Sequence, residues 1–255
     1  MAEFEQFNDI AVPVEAEDFA RGRRRVRYTI GIAALVIAAL AFWIYRRQAD
    51  PISAFEAFDA GERYFRSARY QPAISSFEHA IALQPEYAAA YLMRARCNAA
   101  MNKPIAAMPD FNKYIEMRPD DAAAFLERGT AQKAQHSYPE AIADSTSAIN
   151  LDPTLDTAYN LRGSTFREMG QPEKAIADFS KAVEIRPIMN NYFQRGATYQ
   201  VLGRHELAVV DFSAAITIEP YAPQAYFARA QSYRALGNAT AADADHQHAR
   251  ELDGF

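Results

Sequence analysis

Cysteine occurs once in the chain, at Cys97, so no intramolecular disulfide can hold the fold together. The same protein could therefore work in oxidising or reducing surroundings. Beside packing positions, this thiol reads as a small core residue and not as a nucleophile. Other chemistry-bearing patterns are missing too. There is no glycine-rich phosphate loop, no Gly-x-Ser-x-Gly elbow, no His-Glu-x-x-His and no paired-cysteine metal pattern. His246 and His248 beside Asp243 and Asp245 come nearest to a metal cluster, but residues two apart on a helix point to different sides. No catalytic residue, metal site or cofactor is expected. Positive charge is also short: the net charge of −5 is not that of a nucleic-acid binder.

What the chain does have is a period. Pro85, Pro119, Pro153, Pro187 and Pro220 stand 34, 34, 34 and 33 residues apart. Aligned on them, the units run 54–87, 88–121, 122–155, 156–188, 189–222 and 223–255. The fourth place of each holds Ala57, Tyr91, Phe125, Tyr159, Tyr192 or Tyr226, followed closely by Gly61, Ala95, Gly129, Gly163, Gly196 or Ala230. Ala73, Ala107, Ala141, Ala175, Ala208 and Ala242 come next, then Ala80, Tyr114, Ala148, Ala182, Ala215 and Ala249. Small residues let two helices cross closely while the aromatic fills the adjoining gap. Gly170, Gly203 and Gly237 in mid-unit, with the prolines at the ends, divide each unit into two helices. A fixed period of this size implies a solenoid whose copies bury their apolar faces on one another.

This pattern resembles the tetratricopeptide repeat family over residues 54–255. The resemblance implies an all-α fold: a right-handed α-solenoid of six helix hairpins, here preceded by one N-terminal transmembrane helix. One departure recurs. Arg94, Arg128, Arg162, Arg195 and Arg229 replace the family's leucine, and an acid follows each sixteen residues later: Asp110, Asp144, Asp178, Asp211 and Asp245. The first unit lacks both, with Ala60 and Ser76. Their joint presence predicts ion pairs joining the two helices of a hairpin. The functional alternative is a row of arginines reading an acidic ligand. In the last unit, Asp243, His246 and Arg250 stand where the others are mostly apolar, as a terminal cap requires.

Residues 28–45, YTIGIAALVIAALAFWIY, carry no charge and would span about 27 Å as a helix, close to a bilayer's hydrocarbon core. Tyr28, Trp43 and Tyr45 suit the two interfaces. We read the segment as an uncleaved transmembrane anchor. The acidic and then Arg-rich tail, 1–27, places Arg21, Arg23, Arg24, Arg25 and Arg27 before the span, against Arg46 and Arg47 after it. That bias puts the N-terminus in the cytoplasm and the repeats outside it, as at a bacterial inner membrane with periplasmic repeats. Residues 46–53 read as a short linker with a turn at Asp50-Pro51.

The family resemblance further implies that each unit's first helix lines a concave groove. Carried over, the partner-binding residues are Phe55, Phe58 and Phe65; Leu92 and Arg96; Leu126 and Lys133; Asn160 and Arg167; Phe193 and Gln200; Phe227 and Arg234. The fixed basic set with which some family members hold a chaperone's carboxylate is absent, since Phe58, Glu62, Met93, Ala123 and Glu127 occupy those places. A groove with apolar anchors and scattered cations suits an extended or helical peptide. The expected partners are proteins, with the bilayer contacted through 28–45, and neither nucleic acid nor a small-molecule substrate is expected. The leading expectation is a non-catalytic, membrane-anchored scaffold, an assembly factor or structural subunit of a membrane complex. Alternatives are a targeting receptor with cytosolic repeats and an accessory subunit of an enzyme.

Overall fold

The computed structural model describes residues 51–254 and the single position Ile37. The tail and the expected anchor lie otherwise outside the described residues, and among these no helix is long and apolar enough to cross a membrane. The described chain is all-α, twelve helices in sequence. They are α1 (Pro51–Arg66), α2 (Tyr70–Leu83), α3 (Ala88–Ala100), α4 (Pro104–Met117), α5 (Ala122–Ala134) and α6 (Tyr138–Leu151). There follow α7 (Asp156–Glu168), α8 (Pro172–Ile185), α9 (Met189–Val201), α10 (His205–Ile218), α11 (Pro223–Ala235) and α12 (Ala239–Asp253).

One boundary differs from expectation. Residues 51–53, read from the sequence as the end of a linker, are helical and belong to α1.

The turn inside each hairpin is built alike. Gly170, Gly203 and Gly237 take φ of 71°, 67° and 77°, and the equivalent places in the first three units take the same left-handed form with Ala68, Asn102 and His136. The next amide then reaches back to close the helix, as Arg69 N–H does to Tyr64 O and Asn238 N–H to Tyr233 O, both at 2.9 Å. Asn238, which opens a glycosylation-like triplet in the sequence, caps α12 by accepting from Ala241 N–H at 3.1 Å.

Four of the six hairpins close on a phenylalanine of the second helix. Phe77, Phe111, Phe179 and Phe212 are wholly buried. A Cβ on Gly163 or Gly196 would lie only 3.1 and 3.0 Å from the Phe179 and Phe212 rings, so the small residues there are a packing demand. The third unit has Ser145 at this place, its hydroxyl donating to Ala141 O at 2.6 Å. Leu161 reaches back from the next unit instead, its Cδ2 3.1 Å from a Cβ built on Gly129.

Successive first helices touch: α1 with α3, α5 with α7, α7 with α9 and α9 with α11, whereas no comparable contacts join successive second helices. The array therefore curves with its first helices inside. The shortened connection between α8 and α9, residues 186–188, coincides with Asn191 standing where four other units bury Ala90, Ala124, Ala158 and Ala225. Its Nδ2 faces Ala182 O and Arg186 O at 3.0 and 2.8 Å, and Asp156 Oδ2 at 3.1 Å.

Candidate partner-binding groove

The five arginines come first, because they decide what charge the array can offer. Each grips its aspartate with two parallel bonds: Arg94–Asp110 at 2.8 and 2.7 Å, Arg128–Asp144 at 2.7 and 2.8 Å, Arg162–Asp178 at 3.0 and 2.8 Å. Arg195–Asp211, at 2.8 and 2.7 Å, and Arg229–Asp245, at 2.8 Å twice, complete the set. The remaining nitrogen reaches the preceding hairpin. Arg128 Nη1 donates to Asn112 at 2.8 Å, Arg162 Nη1 to Thr146 at 3.1 Å, Arg195 Nη1 to Ser180 at 3.4 Å and Arg229 Nη1 to Ser213 at 2.9 Å. Arg94 Nη1 instead faces Glu78 at 3.9 Å. Each guanidinium also lies over its unit's fourth-place ring, 5.6 Å away for Arg128 over Phe125 and 5.8 Å for Arg162 over Tyr159. The aspartate hydrogen bonds hold Arg94, Arg162, Arg195 and Arg229 above the usual arginine pKa, against the opposing pull of burial. Within the hairpins these arginines are staples, with every nitrogen engaged.

The groove residues divide into two groups. Several aromatic and aliphatic ones hold the array together. Phe58 packs on Phe77 and Tyr87 with centroids 5.5 and 4.9 Å apart, Phe65 meets Tyr70 edge-on, Phe193 lies on Phe212 and Phe227 on His246. Leu92 is buried with Ala95 and Phe111, and Leu126 packs against the cluster of Ile149 and Ala158. Phe55 stays exposed.

The polar group forms ties from one first helix to the next. Arg96 holds Glu127 bidentately at 2.8 and 2.6 Å, which lifts its pKa. Lys133 donates to Ser164 and pairs with Glu168, both at 2.9 Å. Asn160 donates to Asn191 at 2.7 Å. Arg167, pulled down in pKa by burial, bonds Gln194 Oε1 at 2.9 Å and Thr198 at 3.3 Å. Gln200 donates to Ala228 O and Ser232 at 2.7 and 2.8 Å. Arg234 alone turns within its own hairpin, to Asp243 at 3.0 Å. Arg96 and Lys133 thus meet carboxylates of the next unit, Arg167 only neutral groups there, and Arg234 a carboxylate of its own hairpin. Sequence reasoning missed the receiving partners Glu168, Gln194 and Ser232, although a spacing near 31 residues links most of these pairs.

No group of His, Cys, Asp or Glu able to hold a metal occurs among the described residues. His246 and His248 rest instead on the rings of Phe227 and Tyr226. Cys97 is buried, and burial pushes its thiol up to about 11.

Comparison with solved structures finds the same architecture. PilW, described as a widely conserved type IV pilus biogenesis factor, aligns at 20% identity and TM-score 0.70 over 79% of this chain and 94% of its own. MamA aligns at 20% identity and TM-score 0.60 over 67% and 94%. YrrB, described as having an unusual peptide-binding site, aligns at 21% identity and TM-score 0.57 over 69% and 91%. No curated protein sequence matches the chain. Models of the tetratricopeptide repeat match residues 58–122, 157–188 and 190–221, together half of the chain. With the period, the hairpins and the shared architecture in agreement, the chain belongs to the tetratricopeptide repeat family.

Proposed function

We propose that this protein is a non-catalytic scaffold that holds partner proteins along its concave face, tethered to a bilayer through residues 28–45. One observation carries the reading: the described chain is a run of six hairpins whose first helices line one inner side, joined by backbone approach or, between α3 and α5, by the Arg96–Glu127 pair. Arg96, Lys133 and Arg167 there are spent on ties between units, and catalysis would need such groups converging on one point. Among structures of this fold, YrrB carries a peptide-binding site, which supports peptide capture as the mode. The tail's arginine bias supports a cytoplasmic N-terminus with the repeats across the membrane.

The test is in-cell photocrosslinking from single positions of the full chain. Ser164 and Gln231, on first helices, should yield discrete protein adducts, whereas His79 and Lys181, on second helices, should not. Adducts from the second-helix positions alone would refute a concave docking face. A C-terminal alkaline phosphatase fusion should be active; an inactive one would favour a targeting receptor with cytosolic repeats.

A further inference from the structure

The six units are near copies, so a place where one departs from the rest is informative. The second unit departs twice at its junction with the third. Where the other second helices bury Ala80, Ala148, Ala182, Ala215 and Ala249, α4 carries Tyr114, itself buried. Its hydroxyl donates to Asp121 Oδ2 at 2.7 Å, while Asp121 Oδ1 caps α5 by accepting from Ala123 and Ala124 N–H. Burial, with this bond, pushes the Tyr114 hydroxyl up to about 12. A ring where alanine is the rule wedges α4 from α5. The backbones stand furthest apart at this junction, and α3 and α5 lack the close backbone approach that joins other successive first helices.

The second departure lies on the inner face. Lys133, Arg167 and Gln200 occupy one place in three consecutive units, and each sends a long stem across to the next first helix. Arg167 in doing so covers the Phe179 ring at 5.5 Å. The same place in the second unit is Ala99, which crosses nothing. A cleft of about 260 Å³ results, lined by Ala99, Pro104, Phe111, Ala131 and Ala134 together with Asn102 and Thr130, and rimmed by Arg96 and Glu127.

We propose that this cleft is the anchor site of the groove, receiving one neutral apolar side chain, leucine- to phenylalanine-sized, from a bound peptide. It rests on the docking reading above and names where that docking is strongest. The occupant is apolar because the walls are mostly so, with the Thr130 hydroxyl donating to Leu126 O at 2.8 Å, and because Arg96 and Glu127 already satisfy each other bidentately and leave no charge to answer. It is a single side chain because the volume falls below the about 300–1,000 Å³ of sites for drug-sized ligands. Its place is the one that the protein's own stems fill in the next three units. Burying such a side chain is worth about tenfold or more in affinity.

The probe is the peptide acetyl-Gly-Ser-photoleucine-Ser-Gly-amide, photolysed with the full chain in amphipol and mapped by mass spectrometry. Labelling should fall at Ala99, Pro104, Ala131 and Ala134. The leucine version of the peptide should compete, and the lysine and glutamate versions should not. Ala99→Lys and Ala99→Gln, which restore the filler of the neighbouring units, should each cut labelling about tenfold with unchanged helicity. Labelling elsewhere, equal competition by the lysine peptide, or labelling indifferent to both fillers would overturn the proposal. The two readings fail separately. If cleft labelling is absent while Ser164 and Gln231 still capture partners in cells, only the anchor site is lost. Cleft labelling in a protein whose inner face captures nothing would overturn the docking reading instead.

Discussion

Replacing Arg162 by alanine should unfold the array early, and the structure sets how early. The substitution removes two bonds to Asp178, one to Thr146 and the stacking on Tyr159. What remains is the larger cost: an Asp178 side chain only 8% exposed, with its charge uncompensated. Breaking a fully buried pair costs about 3–5 kcal/mol. Arg162 is 21% exposed, so water can partly replace it, and we expect about 2–3 kcal/mol. For a domain of this size that lowers Tm by about 4–10 °C. The assay is thermal unfolding of the full chain in detergent, followed by helical circular dichroism. The double variant Arg162→Met, Asp178→Leu should recover most of the loss, because apolar replacement of both partners is close to neutral. A melt unchanged by Arg162→Ala, with partner capture abolished, would refute the staple and restore the reading of arginines as ligand readers. A double variant as damaged as the single would show that the aspartate's isolation is not the source of the cost.

Other expectations follow from single places in the array. Ala68 holds a left-handed φ of 55°, so Ala68→Gly should stabilise by about 1 kcal/mol, seen as a higher melting midpoint. Leu161→Ala should open a cavity above Gly129 and cost about 2–4 kcal/mol; adding Ser145→Phe, which restores the ring of the other units, should recover part of it in the same melt. Cys97, with its thiol raised to about 11, should resist iodoacetamide at about pH 8 in the folded protein and react once unfolded. The raised pKa has a stability sign as well. The unfolded thiol loses its proton near its ordinary value, so the contribution is whole below about pH 9 and drains away towards pH 11, where Cys97→Ala should flatten the decline.

Residues that recur in every unit are legible in the sequence itself, because a helix hairpin is set locally by period, caps and punctuation. Arg162 and Asp178 can be paired from spacing alone: sixteen residues steps from one helix of a hairpin to the other, and the equivalents of both vanish together in the first unit. Phe58 and Leu92 show the opposite case. Their period places them on the inner side of a first helix, but the structure turns them into the core. Which flank of an inner helix faces the groove depends on the rotation between units, and a one-dimensional period does not carry that angle.

On its own, then, the order of residues determined the described hairpins and the staples within them, since these are short-range consequences of a repeated pattern. The tertiary structure decided everything between units: Lys133 reaching Ser164, Leu161 filling the place Ser145 leaves empty, and the cleft beneath Ala99. These depend on how far each hairpin is turned and lifted against its neighbour. That displacement is set by the bulk at the crossing, where one tyrosine among alanines separates two helices that are elsewhere close.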